Sequence, residues 1–595
     1  MTNEPNPPIW PDSVKLIRPT DDKEAVQAIL KETEDAWNES HACYTCDHHF
    51  SKRRLALLFA PGVYKNIDVE IGYYVQILGL GTHPDQVQFR DCEKGPYVPA
   101  LNKHLSDHGS SLDTFWRSAE NFSTFPTSQK MLWAVSQAAP LRRVHVGSDL
   151  HLYDTQAYAS GGFMANCQVD GKTDFGGQQQ WLSRNCHFRD SVVGGAWSLV
   201  FVGCSGQVPQ EDMGTIQTPS ISVQPKTPVR MEKPYIAMKE DGIHYELRIP
   251  RASRDCNHSG SSFDATGEYV KDFSQVFVAK ANEEGIATKI QDALDDGKHV
   301  VLAPGIFELD RSLQVRHDNQ VILGIGLATL KAPTNGSPCI AVAPKTAGVR
   351  VAGVMLEASQ RTGFAVEFSS LLEWGASTVK DEGDPDNPGG LFDIFCRVGG
   401  DTEGDRTQYH VDCIMRIHSG NVVGDNLWLW RADHAELMQG EQPNFVPIPT
   451  YHQCEKDEYR VKNGIHVTGN DVTVYGLAVE HTDEHQAVWS GERGQVYFYQ
   501  SELPYGACQA SFGDRGYVGY LIEDHVVHHK LLAPGVYSNF RNEKVVVETA
   551  VKHPDRDTIS CVNPFIVHLD NNGYIESVVN GHGESALLQG MPVRL

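Results

Sequence analysis

Leu57-Leu58-Phe59-Ala60-Pro61-Gly62-Val63-Tyr64, followed by Val75-Gln76-Ile77-Leu78-Gly79-Leu80-Gly81, returns far downstream in altered form. The second copy reads Val300-Val301-Leu302-Ala303-Pro304-Gly305-Ile306-Phe307, followed by Gln320-Val321-Ile322-Leu323-Gly324-Ile325-Gly326. The Ala-Pro-Gly triplets lie 243 residues apart and the Gly79/Gly324 pair 245. A helix-like segment precedes each copy, at Lys23–Thr33 and Ala281–Leu294. Two related units, each opening with helix, strand, Pro-Gly turn and strand, are the economical reading. Beyond each opening, short β-rich runs alternate with Gly, Asn and Asp, as in Gly348–Leu356 and Asn470–Glu480. Strands recurring at roughly 20-residue spacing predict an all-β solenoid of parallel coils, each burying its inward side chains against its neighbours.

A cysteine series points the same way. Asn166-Cys167, Asn185-Cys186 and Gly203-Cys204 stand 19 and 18 residues apart, which predicts one cysteine per coil in a stack. The expected organisation is residues 1–205 as the first unit, a connector over 206–273 rich in Pro, Gln, Ser and Asp, and 274–595 as the second unit.

The formal charge of −25 decides the class of partner. A surface this acidic repels nucleic acid, anionic lipid and polyanionic polysaccharide, so a neutral substrate fits best. The sequence has no run long enough for a membrane span. The opening MTNEPNPPIWPDSVK lacks the basic start and apolar stretch of a signal peptide. Cys43-x-x-Cys46 with His48 and His49 resembles half of a zinc site, without a second Cys pair at zinc spacing; a local disulfide or free thiols are expected there. No phosphate loop and no nucleophile elbow is present.

Three constellations could carry chemistry. Glu480 and Glu502 stand 22 residues apart, about one coil, so their backbones would sit roughly 4.8 Å apart. Neighbouring carboxylates raise the proton affinity of one of them, as a general acid requires. Alternation along the strand sets Glu480 opposite Leu477 and Val479. Glu502, by contrast, shares parity with Val496 and Phe498, and would face outward only if its strand ended near Ser501. The second constellation is Gly176-Gly177-Gln178-Gln179-Gln180-Trp181, with Gly194-Gly195-Ala196-Trp197-Ser198 one coil later. Gln178 and Gln180 are expected on one strand face, where amides and the Ser198 hydroxyl can position a water or grip sugar hydroxyls. Glutamine ladders also stabilise solenoids, and both readings stand. The third is aromatic: Trp428 and Trp430 on one strand face, and Tyr505 close after Glu502, could pack against sugar rings.

Trp133-Ala134-Val135-Ser136-Gln137-Ala138-Ala139-Pro140, Gln178-Gln179-Gln180-Trp181 and Gln500-Ser501-Glu502-Leu503-Pro504-Tyr505-Gly506, with the duplication, resemble glycoside hydrolase family 55. The resemblance implies two tandem right-handed, single-stranded parallel β-helices of the pectate-lyase-like kind, packed side by side. It implies an inverting, exo-acting β-1,3-glucanase that needs no metal or cofactor, with its site in the cleft between the two helices. Glu502 would be the general acid, while Glu480, Ser198, Gln178 and Gln180 would hold the water and its proton path. Trp181, Trp197, Trp428, Trp430 and Tyr505 would meet the sugar. The expected partner is a neutral β-glucan, the expected state a monomer, and the expected location extracellular. A β-helix polysaccharide lyase or a non-catalytic glycan-binding β-helix are the alternatives.

Overall fold

The computed structural model describes residues 3–31, 50–100, 111–154, 158–261, 267–360, 369–401, 404–442, 444, 451–569 and 572–595. Cys43, Cys46, His48 and His49 lie outside the described residues. Contacts divide the chain into two compact units. The first comprises 1–284 with 298–306 and 321–328, and the second 285–297, 307–320 and 329–595.

In the first unit Leu55–Phe59 pairs in parallel with Val75–Gly79, Leu57 opposite Ile77. The ladder continues through Ser118–Phe125, Leu141–Val146, Gly162–Ala165, Gln180–Arg184, Ser198–Val202 and Ser220–Gln224. Each strand is one coil further along, so the coil itself supplies the long return that parallel pairing demands. The repeated opening is equally plain: Val276–Ala279, His299–Leu302 and Val321–Gly324 are parallel neighbours. Helices occupy 23–31 in one copy and Ile286–Asp295 in the other.

The cysteine stack is present and its physical cause is visible. Gln168 pairs with His187 and His187 with Ser205, so Cys167, Cys186 and Cys204 fall one above another. The residue before each cysteine turns the coil in the left-handed region, with φ 51° at Asn166, 53° at Asn185 and 62° at Gly203. Asn and Gly are the residues that adopt this conformation at least cost. The thiols then pack inward as small apolar groups and form no disulfide among the described residues.

The stretch 206–273 carries an antiparallel sheet of its own within the first unit, formed by Tyr235–Met238, Tyr245–Pro250 and Glu268–Asp272. Its Glu232 is buried between Arg184 and Arg230, 2.8 Å from each. Burial opposes the charge of this carboxyl, and the two guanidinium groups outweigh that, holding it well below the usual carboxylate range.

The second unit is built on a long parallel sheet running Arg350–Glu357, Gly389–Val398, Val422–Arg431, Thr473–Glu480, Gly494–Glu502, His529–Ser538 and Phe565–His568. A second parallel sheet includes Leu372–Trp374, His410–Ile417, Arg460–Val467, Ala487–Trp489 and Tyr520–Ile522. Val479 and Val536 of the first sheet press against Gly464 and Gly519 beside the second, where a β-carbon would clash. That contact fixes which residues face inward.

A column of left-handed residues crosses the long sheet. It consists of Gly353, Asp393, Asn426, Gly476, Phe498 and Ala533, with φ between 50° and 75°. Pairing skips this position in each coil, for example between Tyr475↔Tyr497 and Leu477↔Tyr499. The corner restarts the in–out alternation. Parity counted from Val496 therefore does not reach Glu502, and the strand need not end at Ser501. It runs through Glu502, with Tyr499 and Ser501 in phase with the inward Val479, and Glu502 in phase with Glu480.

Candidate active site

Beyond the corner, the outward positions form two columns across successive coils. One reads Met355, Phe395, Trp428, Ala478, Gln500 and Gly535, and the other Glu357, Arg397, Trp430, Glu480, Glu502 and Tyr537. The second column concentrates charge on a buried face. Arg397 and Glu357 close an ion pair at one end, and Glu480 and Glu502 are direct register partners. The sequence expectation that the two carboxylates share a coil position is met.

Their surroundings differ. Glu480 is buried at 3% exposure and accepts a hydrogen bond from the Trp428 indole at 2.8 Å. Glu502 keeps 15% of its side chain exposed, so it is the member of the pair that can meet a ligand. Tyr505 donates its hydroxyl to Glu502. The Tyr505 ring is held by Arg541, whose guanidinium lies 4.2 Å from the ring centre, and by the edge of His481 at 4.3 Å. Backbone bonds lock the same segment: Arg541 N–H to Tyr505 O at 2.9 Å and His481 N–H to Glu502 O at 2.8 Å.

Sequence reasoning missed the group behind this pair. Asp433 accepts from His434 Nδ1 at 2.9 Å and pairs with Arg541 at 3.1 Å. The His481 Nε2 lies 3.9 Å from both Asp433 and Glu502. Burial opposes ionisation of Asp433, yet His434, Arg541 and His481 hold it well below the usual carboxylate range. Burial pushes His481 down to about 4, so its imidazole is neutral near pH 7. Burial pushes Glu502 up to about 7; Asp433 adds to the rise, while the Tyr505 hydrogen bond and Arg541 oppose it. Because the fold favours neutral Glu502, its contribution to stability is present below 4.5 and lost as pH rises through about 7. The signal for this group was weak: Asp433-His434 follows Trp430 closely, but Arg541 is three coil strands further on.

The indoles serve the carboxylates in this structure. Trp428 and Trp430 lie 5.8 Å apart at 33°, and both are buried. Trp428 anchors Glu480, and Trp430 packs against the His434 ring at 5.4 Å.

In the first unit, Gln180 pairs with Ser198 in register, and both are fully buried. Gln178 does not share their strand, which begins at Gln180. The turn at Gly176, with φ 50°, sets Gln178 outside it, and its amide donates to Val135 O at 2.8 Å and Leu152 O at 2.7 Å. That is a staple between coils, the structural role of a buried glutamine. Trp181 also departs from expectation. It points opposite to Gln180, into the hydrophobic core, with its edge on Phe175 at 5.9 Å and its ring over Gly162; core packing, not a sugar, occupies it. Trp197 is buried as well.

Among the described residues no group of three or more His, Cys, Asp and Glu could hold a metal, and no helix is long and apolar enough to cross a membrane.

Residues 276–502 match the LAM55 pectate lyase-like domain, a segment that opens on the second copy's first strand and ends on Glu502. An exo-beta-1,3-glucanase of Streptomyces sp. (strain SirexAA-E / ActE) is 33% identical over 550 residues, covering 90% of this chain and 82% of that protein. The solved structure of sacteLam55A from Streptomyces sp. SirexAA-E aligns at a TM-score of 0.84 with 27% identity, over 100% of this chain and 99% of the other. A variant of that protein in complex with glucose aligns equally well. On the strength of this relatedness over nearly its whole length, the chain belongs to glycoside hydrolase family 55.

Proposed function

We propose that the protein hydrolyses β-1,3-glucan with inversion, acting from the non-reducing end and releasing glucose. The observation that carries the reading is the register pair Glu480–Glu502, in which one carboxyl is buried and anchored and the other is partly exposed with its proton affinity raised to about 7. Glycosidic cleavage needs a carboxylic acid that still holds its proton near neutrality, to protonate the leaving oxygen. Glu502 fits that role, and Tyr505 fixes its orientation. Glu480, held by Trp428, is suited to take the proton released by the attacking water. The relatives' glucanase name and glucose complex supply the substrate class. Gln180 and Ser198 keep the water-binding role that the family resemblance implies, and Gln180→Ala should lower kcat on the order of 10²-fold with folding intact.

The direct test is product analysis on laminarin followed by NMR. Inversion at a β-linkage makes α-glucose the first anomer seen, before mutarotation. Initial β-glucose would overturn the stereochemical assignment.

The charge arrangement predicts opposite pH effects from two neighbours. If Glu502 acts as the acid, kcat/KM falls as pH rises past about 7. Asp433→Asn removes a negative charge that raises Glu502, so this limb should move to lower pH. Arg541→Gln removes a positive charge that lowers it, so the limb should move to higher pH. Shifts of the same sign in both variants would remove Glu502 from that limb.

A further inference from the structure

A cavity of about 330 Å³ opens in the second unit, just past the ends of the carboxylate-bearing strands. Arg431, Asp483, Glu484, Pro504 and Gly506 contribute to its wall, each following closely on Trp430, Glu480 or Glu502. The volume lies in the range of small-molecule sites, about 300–1,000 Å³. Arg431 is committed to structure: its guanidinium donates to the carbonyls of Tyr459, His481 and Glu458, among others.

The remaining charges are what make the cavity informative. Lys456, Arg460 and Arg515 face Asp457, Asp483 and Glu484 around one space, three cations against three carboxylates. None of these cations forms an ion pair with any of these carboxylates. Asp483 accepts from the Val461 N–H at 3.0 Å and lies 3.8 Å from Arg431; the other acids keep their oxygens for solvent. Counting Arg431, the wall carries four cations and three carboxylates, and such mixed charge with uncommitted donors and acceptors suits a neutral ligand rich in hydroxyls rather than a lone anion or cation. An apolar side completes it. Phe512 is buried edge-to-face with Tyr517 at 5.7 Å, and both line the cavity beside Ala507. Phe512 backs the half-buried Tyr517, whose ring is the one left to meet the C–H face of a pyranose.

We propose that this cavity is a second saccharide-binding site, separate from the carboxylate pair, that takes one or two glucose units of a β-1,3-glucan chain. The proposal rests on the glucan reading above. Its service to the enzyme would be to hold polymer at the surface, so its loss should tell on long substrates and spare short ones.

The test uses the full-length protein. The Glu502→Gln variant, titrated calorimetrically with a β-1,3-linked glucose trisaccharide, should take up two equivalents. Adding Arg460→Ala and Arg515→Ala, both exposed positions, should leave one. With Glu502 intact, the same double substitution should keep trisaccharide hydrolysis within about twofold of wild type and slow laminarin hydrolysis several-fold. One equivalent in both backgrounds overturns the second site while the glucan reading stands. Wild-type protein that fails to hydrolyse either substrate overturns the glucan reading itself. Uptake of inorganic phosphate at this cavity, with no second trisaccharide, makes it an anion pocket and also overturns the proposal.

Discussion

Glu502→Gln is expected to lower kcat about 10²–10⁴-fold, the usual worth of a positioned general acid. The amide keeps the size of the side chain and can still accept the Tyr505 hydroxyl, so folding and oligosaccharide affinity should persist. What it cannot do is give a proton to the glycosidic oxygen. The fold already favours the uncharged form of this residue, so a neutral amide is expected to cost little stability. Single-turnover rates on a β-1,3-linked oligosaccharide, beside calorimetric binding, separate chemistry from affinity. A variant within a few-fold of wild type would strip Glu502 of the acid role.

How much of this could be read from the chain depends on the range of the interaction. The repeated Ala-Pro-Gly turn and the coil-spaced cysteines are local features, and both correspond to parallel strand pairs. The coil spacing of Glu480 and Glu502 likewise became a register pair. Facing was harder. The phase change at Phe498 is silent in a phenylalanine, because bulky residues seldom adopt φ near 73°. Its neighbours in the same column, Gly353, Asp393, Asn426 and Gly476, are residues that do adopt it readily. Stacking the coils before counting parity would have exposed the corner. The expected shared strand face of Gln178 and Gln180 failed for a related reason: the strand begins at Gln180, and alternation does not carry through the turn at Gly176. The Asp433–Arg541 pair joins residues remote in sequence, and no periodicity announces such a contact.

Glu480→Gln should cost kcat on the order of 10²-fold, the scale of losing a group that positions a reactant. Its signature should differ from that of the residues tuning Glu502. Asp433 and Arg541 set the proton affinity of the acid, so their variants move the alkaline limb; Glu480→Gln should lower the plateau and leave that limb in place. Trp428→Phe offers a graded version. It keeps an aromatic ring on the strand but deletes the N–H that holds Glu480, so it should reproduce part of the same loss at an unchanged limb. The competing assignment makes Glu480 a nucleophile, since two carboxyls on adjacent strands could also serve a double displacement, for which they stand about 5–5.5 Å apart. That mechanism would trap a glycosyl group on Glu480 with a slow-leaving substrate analogue, and would release β-glucose first. Mass spectrometry of the trapped protein decides between them: an unmodified Glu480 with α-glucose as first product leaves it the acceptor of the water's proton, and a glycosylated Glu480 makes it the nucleophile.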